Sequence, residues 1–95
     1  MNKYVIERSM PGVGSLSRDA LRAASAKSNT TLDELGADIQ WVQSFVTTDK
    51  IYCVYLAENE QIIRAHAQRM GLPADSISKV CAMIDPTLGS ATAIA

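Results

Sequence analysis

Histidine, cysteine, tryptophan and excess basic charge are all scarce in this chain, and each scarcity removes a class of function. Its 95 residues include one histidine, one tryptophan, one phenylalanine and two cysteines. The cysteines, Cys53 and Cys81, fit neither a zinc-ligand spacing nor a Cys-x-x-Cys redox pattern. Lysine and arginine number 9 against 10 acidic residues, for a net charge of −1, and the basic residues do not cluster. The electrostatic footprint of a nucleic-acid binder is therefore missing. No apolar run approaches the roughly 20 residues of a membrane span. The stretch from Met1 to Arg8 lacks the apolar core of a signal peptide, because Glu7 and Arg8 interrupt it. The expected location is the cytoplasm, where the two thiols stay reduced. Catalytic signatures are absent too. Met10-Pro11-Gly12-Val13-Gly14 contains glycines but lacks the Gly-Lys-Ser/Thr ending of a phosphate loop. There is no Gly-x-Ser-x-Gly elbow and no histidine–glutamate zinc signature, so no residue is assigned a catalytic role.

What the chain does have is ordinary globular composition, 47% apolar and 20% charged, in a length that suits one domain. Tyr4-Val5-Ile6 mark a first strand from Lys3 to Arg8. A helix follows from Ser17 to Leu35, capped by Ser17 and stopped by Gly36, with Leu21, Ala24, Ser28, Leu32 and Leu35 on one face. Asn29-Thr30-Thr31 weakens this helix and makes a break near Thr30 an open option. Ile39 to Thr47 reads as a second strand, with Ile39, Trp41 and Phe45 on one face and Val42 and Val46 on the other. A short polar turn leads to a third strand, Ile51 to Ala57, completing a hairpin. Asn59 caps a second helix that runs to Met70 and ends at Gly71 and Pro73. Ser76 to Ile84 is the last strand.

The order strand, helix, hairpin, helix, strand predicts an α+β fold, a ferredoxin-like β-α-β-β-α-β sandwich. Its four-stranded antiparallel sheet carries both helices on one face, with the first and third strands at the centre. The domain spans residues 1–87, and the Gly/Ser/Thr/Ala tail 88–95 is expected to be loose. The uncovered face of such a sheet should be polar if it meets water. Here it is not. Tyr52, Val54 and Leu56 oppose Ile51, Cys53 and Tyr55 across the third strand, and the last strand is apolar on both sides as well. A second copy, sheet against sheet, is the simplest cover, so a homodimer is expected. The alternative is a monomer whose loops or tail fold over that face.

Two candidate sites follow from the residues. His66, on the second helix, offers an imidazole, a borderline ligand suited to nickel, copper or zinc. The competing reading is a partly buried histidine that bonds the backbone. Cys53, placed in a central strand and on its open face, offers a soft ligand, with a buried small hydrophobe as the favoured reading. The second candidate is an apolar ligand pocket between the sheets of a dimer, lined by Tyr4, Trp41, Tyr55 and Cys53. That would make the chain a small-molecule enzyme or ligand binder.

Several strings occur together in order: Tyr4-Val5-Ile6-Glu7-Arg8 with Pro11-Gly12, Ile39-Gln40-Trp41-Val42 with Ser44, Asp49-Lys50-Ile51-Tyr52-Cys53-Val54-Tyr55, Ile63-Arg64-Ala65-His66-Ala67, and Ile84-Asp85-Pro86-Thr87. In combination they resemble a family of small bacterial nickel-binding proteins with a ferredoxin-like fold, over nearly the whole chain from Met1 to Thr87. The resemblance implies a non-enzymatic, dimeric nickel-binding protein acting in sequestration or detoxification. By that likeness His66 is the first candidate ligand for nickel, and Cys53 and Asp49 are weaker ones. Some members of that family carry a histidine near the position of Gln43, so this chain lacks one ligand that they have.

Overall fold

Asn2–Ser9 forms the first strand, β1, in a computed structural model that describes residues 1–90. Alternate side chains of β1 point inward, so Tyr4, Ile6 and Arg8 are all buried. A loop with a single 3-10 turn at Val13–Ser15 leads to helix α1, Arg18–Leu35. Ser17 caps α1 by accepting the Ala20 N–H at 3.0 Å. The helix does not break near Thr30. Thr30 and Thr31 donate their hydroxyls to the carbonyls of Ala26 and Lys27, four residues back, so these polar groups are satisfied without leaving the helix. Gly36, at φ +90°, ends it.

Strands β2, Ile39–Val46, and β3, Lys50–Ala57, form the hairpin. Helix α2, Glu60–Met70, is capped by Asn59 and closed by Gly71 at φ +67°, a left-handed position that suits glycine. Strand β4, Ser76–Lys79, completes a sheet of order β2-β3-β1-β4 in which all neighbours are antiparallel. This is the ferredoxin-like arrangement, with β1 and β3 central and α1 packed on α2 and β2.

Three expectations change. The last strand stops at Lys79 rather than Ile84. Tyr4 pairs with Lys79, and the Val80 N–H still reaches the Lys3 carbonyl at 2.8 Å. β1 begins at Asn2, so pairing in this register could run no further than Cys81, short of Ile84. Phe45 does not share a face with Ile39 and Trp41. A bulge between Trp41 and Gln43 inserts one residue, after which Ser44 pairs with Cys53 and Phe45 with Tyr52. Such an insertion exchanges the two faces of everything that follows it. Phe45 thus joins Tyr52 on the uncovered face, 54% exposed, and Val46 moves to the helix side with Ile51. Finally, residues 88–89 of the expected tail lie in a short last helix, α3, Pro86–Gly89, capped by Asp85. The rest of the expected tail, 91–95, falls outside the described residues.

The core lies between the sheet and the two helices. Tyr4, Ile6, Leu32, Ile39, Cys53, Tyr55, Ala57 and Ile63 form one buried cluster. On the other side of the sheet Val5, Val54 and Leu56 remain half-buried in the single chain. The segment Cys81–Ser90 is exposed throughout, including Met83, Ile84 and Leu88.

Candidate functional site

The helix-covered interior is not uniformly apolar. Towards the β1–α1 loop it holds Arg8, Ser28 and His66, all buried. Arg8 is there because of strand alternation. It follows Tyr4 and Ile6 at spacings of two, and β1 carries it onto the covered face. Only 1% of it is exposed. Its Nη1 donates to the Pro73 carbonyl at 2.6 Å. Its Nε and Nη2 have no hydrogen-bond partner among the described residues, and none of the salt bridges there involves it. A buried cation without a counter-charge is costly.

His66 sits on the inner side of α2 and is fully buried. The structure pairs it with a side chain of α1 rather than with the backbone: Nε2 lies 3.2 Å from the Ser28 hydroxyl. Its ring is 5.5 Å from that of Tyr55, tilted by 58°. Either tautomer leaves Nδ1 without a partner among the described residues. Burial, with the nearby Arg8 charge adding to it, lowers the pKa of His66 to about 4, so the imidazole is neutral at neutral pH. Burial also drives the Tyr55 phenol up to about 12. The Cys53 thiol adds to that rise, and the Arg8 guanidinium pulls the other way.

A cavity of about 140 Å³ opens between α1 and the sheet, next to these groups. Arg8, Leu21, Ser28, Trp41, Cys53 and Tyr55 are among its walls. Met10, Val13 and Leu16 close one side from the β1–α1 loop. That loop is latched to the hairpin turn. Met10 N–H donates to the Asp49 carbonyl at 2.8 Å, Gly12 N–H to Asp49 Oδ1 at 2.9 Å, and Gly14 N–H to the Thr48 carbonyl at 3.0 Å. Gly14 approaches so closely that a Cβ there would lie 2.7 Å from the Thr47 carbonyl oxygen.

The sequence-derived candidates are therefore distributed as follows. Cys53 faces the helices and is buried. Asp49 is exposed on the hairpin turn, where it holds the loop. His66, on the inner side of α2, is buried against Ser28 of α1. Among the described residues no three His, Cys, Asp or Glu side chains come together as a metal-binding group. Trp41, Tyr55 and Cys53 do line a common cavity, but on the helix side of the sheet within one chain, not between two sheets. Tyr4 belongs to the packed core instead. Arg8, the most consequential residue of this region, is not among the sequence-derived candidates. The alternation Tyr4, Ile6, Arg8 was the signal that could have found it.

The fold and its one-sided cavity define a small ferredoxin-like α+β domain with a polar group buried in an apolar pocket. Residues 4–80 match the model of a family described as nickel responsive protein SCO4226-like, and the chain belongs to that family. A crystal structure of SCO4226 from Streptomyces coelicolor A3(2) superposes with a TM-score of 0.69 at 21% identity, covering 86% of this chain and 99% of that one. At that identity the likeness shows the shared fold. No curated protein matches the chain. Among the described residues no helix is long and apolar enough to cross a membrane.

Proposed function

We propose that this protein binds nickel, or a similar divalent transition metal, as cargo and without catalysis, in sequestration or detoxification. The observation that carries this reading is the family match over residues 4–80. His66 and Cys53 supply the borderline and soft donors that suit such ions, and His66 Nδ1 is a nitrogen without a partner among the described residues. Asp49 adds an exposed carboxylate. Among the described residues these do not form a three-ligand group, and since His66 and Cys53 lie on the helix-covered side, away from the dimer face, the remaining ligands come from water.

The second copy is part of the proposal. Val5, Val54 and Leu56, with Phe45 beside them, make an apolar surface on the uncovered side of the sheet. Burying that surface against its equivalent is favourable at about 25 cal/mol per Å². Light scattering on the parent and on Phe45→Lys tests this. A dimeric parent and a monomeric variant are expected, and a monomeric parent ends the dimer reading.

The metal reading is tested by calorimetric titration of tag-free protein with nickel, repeated on His66→Ala. Saturable heat is expected from the parent, with weaker binding in the variant. A parent that gives no saturable heat overturns the proposal.

A further inference from the structure

We propose that the cavity between α1 and the sheet is a binding site for a small apolar monocarboxylate, with Arg8 receiving the carboxylate through Nε and Nη2. This goes beyond the metal reading and does not depend on it.

Three observations lead here. The first is Arg8 itself. Its side chain is buried and borders the cavity, its guanidinium lies close to the Tyr55 phenol, and one nitrogen, Nη1, is fixed to the Pro73 carbonyl. The pair left without a partner among the described residues, Nε and Nη2, forms one edge of the planar head group. Two parallel N–H groups on that edge match the two oxygens of a carboxylate, giving a bidentate, charge-assisted contact. The anion would also supply the counter-charge that no described acidic residue provides.

The second observation is the wall chemistry. Leu21, Trp41, Ile51, Met70 and Leu72 surround the cavity, Ser25, Ser28 and Ser44 add hydroxyls, and Arg8 is the one charged residue among the lining residues. Apolar walls around one strongly polar anchor select a ligand with an apolar body and a single charged end. Inorganic phosphate is poorly served there, since most of its oxygens would face hydrocarbon. The third observation is size. The cavity measures about 140 Å³, close to the roughly 150 Å³ apolar cavity known to accept benzene. A six-carbon ring or a short branched chain fits, with its carboxylate at Arg8.

Trp41 is the chain's single tryptophan and it lines the cavity, so its fluorescence reports occupancy directly. The experiment titrates metal-free protein, kept in a chelator, with benzoate, with benzyl alcohol as the neutral counterpart and with inorganic phosphate. Benzoate is expected to change the emission saturably, and benzyl alcohol to bind roughly tenfold to hundredfold more weakly. Phosphate is expected to leave the emission unchanged. Arg8→Met, confirmed folded by circular dichroism, is expected to lose the preference for benzoate over benzyl alcohol. The comparison of the two ligands on the parent stands even if the variant does not fold. Equal binding of benzoate and benzyl alcohol would overturn the role of Arg8. No saturation by benzoate up to roughly 10 mM, where a millimolar site is filled, would overturn the site. Because nickel is excluded, neither result bears on the metal reading.

Discussion

The two ends of the helix-covered interior obey different rules. At one end Ile6, Ala57 and Ile63 are fully buried and pack with Tyr4, Ile39 and Leu32. At the other, Arg8, Ser28 and His66 are also buried, Arg8 and Ser28 border a cavity, and polar atoms of Arg8 and His66 have no partner among the described residues. The change occurs within two residues of β1, from Ile6 to Arg8. Equal burial therefore does not mean equal contribution to stability. The first end holds the fold together, whereas the second is arranged around a group that costs stability and is explained by what it can bind.

The comparison can be broken at its packed end first. Ile63→Ala is expected to cost about 2–5 kcal/mol, because truncating a fully buried aliphatic side chain removes its burial and leaves a hole. Leu21→Ala, a half-buried side chain already bordering a cavity, is expected to cost under about half as much, since little new void is created. Urea denaturation of both variants measures the contrast. Similar losses at the two sites would erase the distinction.

A second effect belongs to the polar end alone. His66 binds its proton only near pH 4 in the folded chain, against an ordinary value of 6.5. As pH falls below 6.5, the unfolded state takes up the proton first, and stability declines until both states are protonated below about 4. The loss is on the order of 3 kcal/mol. Stability measured from pH 7.5 to 4 should show this decline in the parent and a flatter profile in His66→Asn. A variant with an unchanged slope would remove His66 as the cause.

Smaller effects come from the latch that closes the cavity. Gly14→Ala puts a Cβ against the Thr47 and Thr48 backbone and is expected to cost about 1–3 kcal/mol through the forced backbone shift. Asp49→Ala removes one exposed contact to Gly12 and should cost roughly 1 kcal/mol or less. Both should loosen the loop more than the core, and amide exchange can localise that change to residues 10–14.

The sequence was informative where periodicity and caps decide the structure. Ser17, Asn59, Gly36 and Gly71 bound the two helices as expected, and Ser28 falls on the inner stripe of α1 that its spacing indicates. Legibility failed where a feature depends on pairing across the fold. The bulge after Trp41 has no local signature, yet it carries Phe45 to the other face. The length of β4 is limited by its partner, since β1 begins at Asn2 and offers nothing beyond Cys81 to pair with. The pocket was half legible. Trp41, Tyr55 and Cys53 were grouped from their aromatic and thiol character, but the side of the sheet was not. Arg8 is legible only through its even spacing from Tyr4 and Ile6, because charge at the end of a strand usually marks solvent.

The central claim, that Arg8 serves a ligand rather than the fold, is tested most directly by urea denaturation of the parent and of Arg8→Met, each with and without benzoate. Removing a buried, half-satisfied charge should leave the unliganded variant within about 1 kcal/mol of the parent, or above it. Benzoate at ten times its dissociation constant should stabilise the parent by roughly 1.4 kcal/mol and leave the variant unmoved. A variant several kcal/mol less stable than the parent, with benzoate shifting neither protein or both alike, would contradict the account.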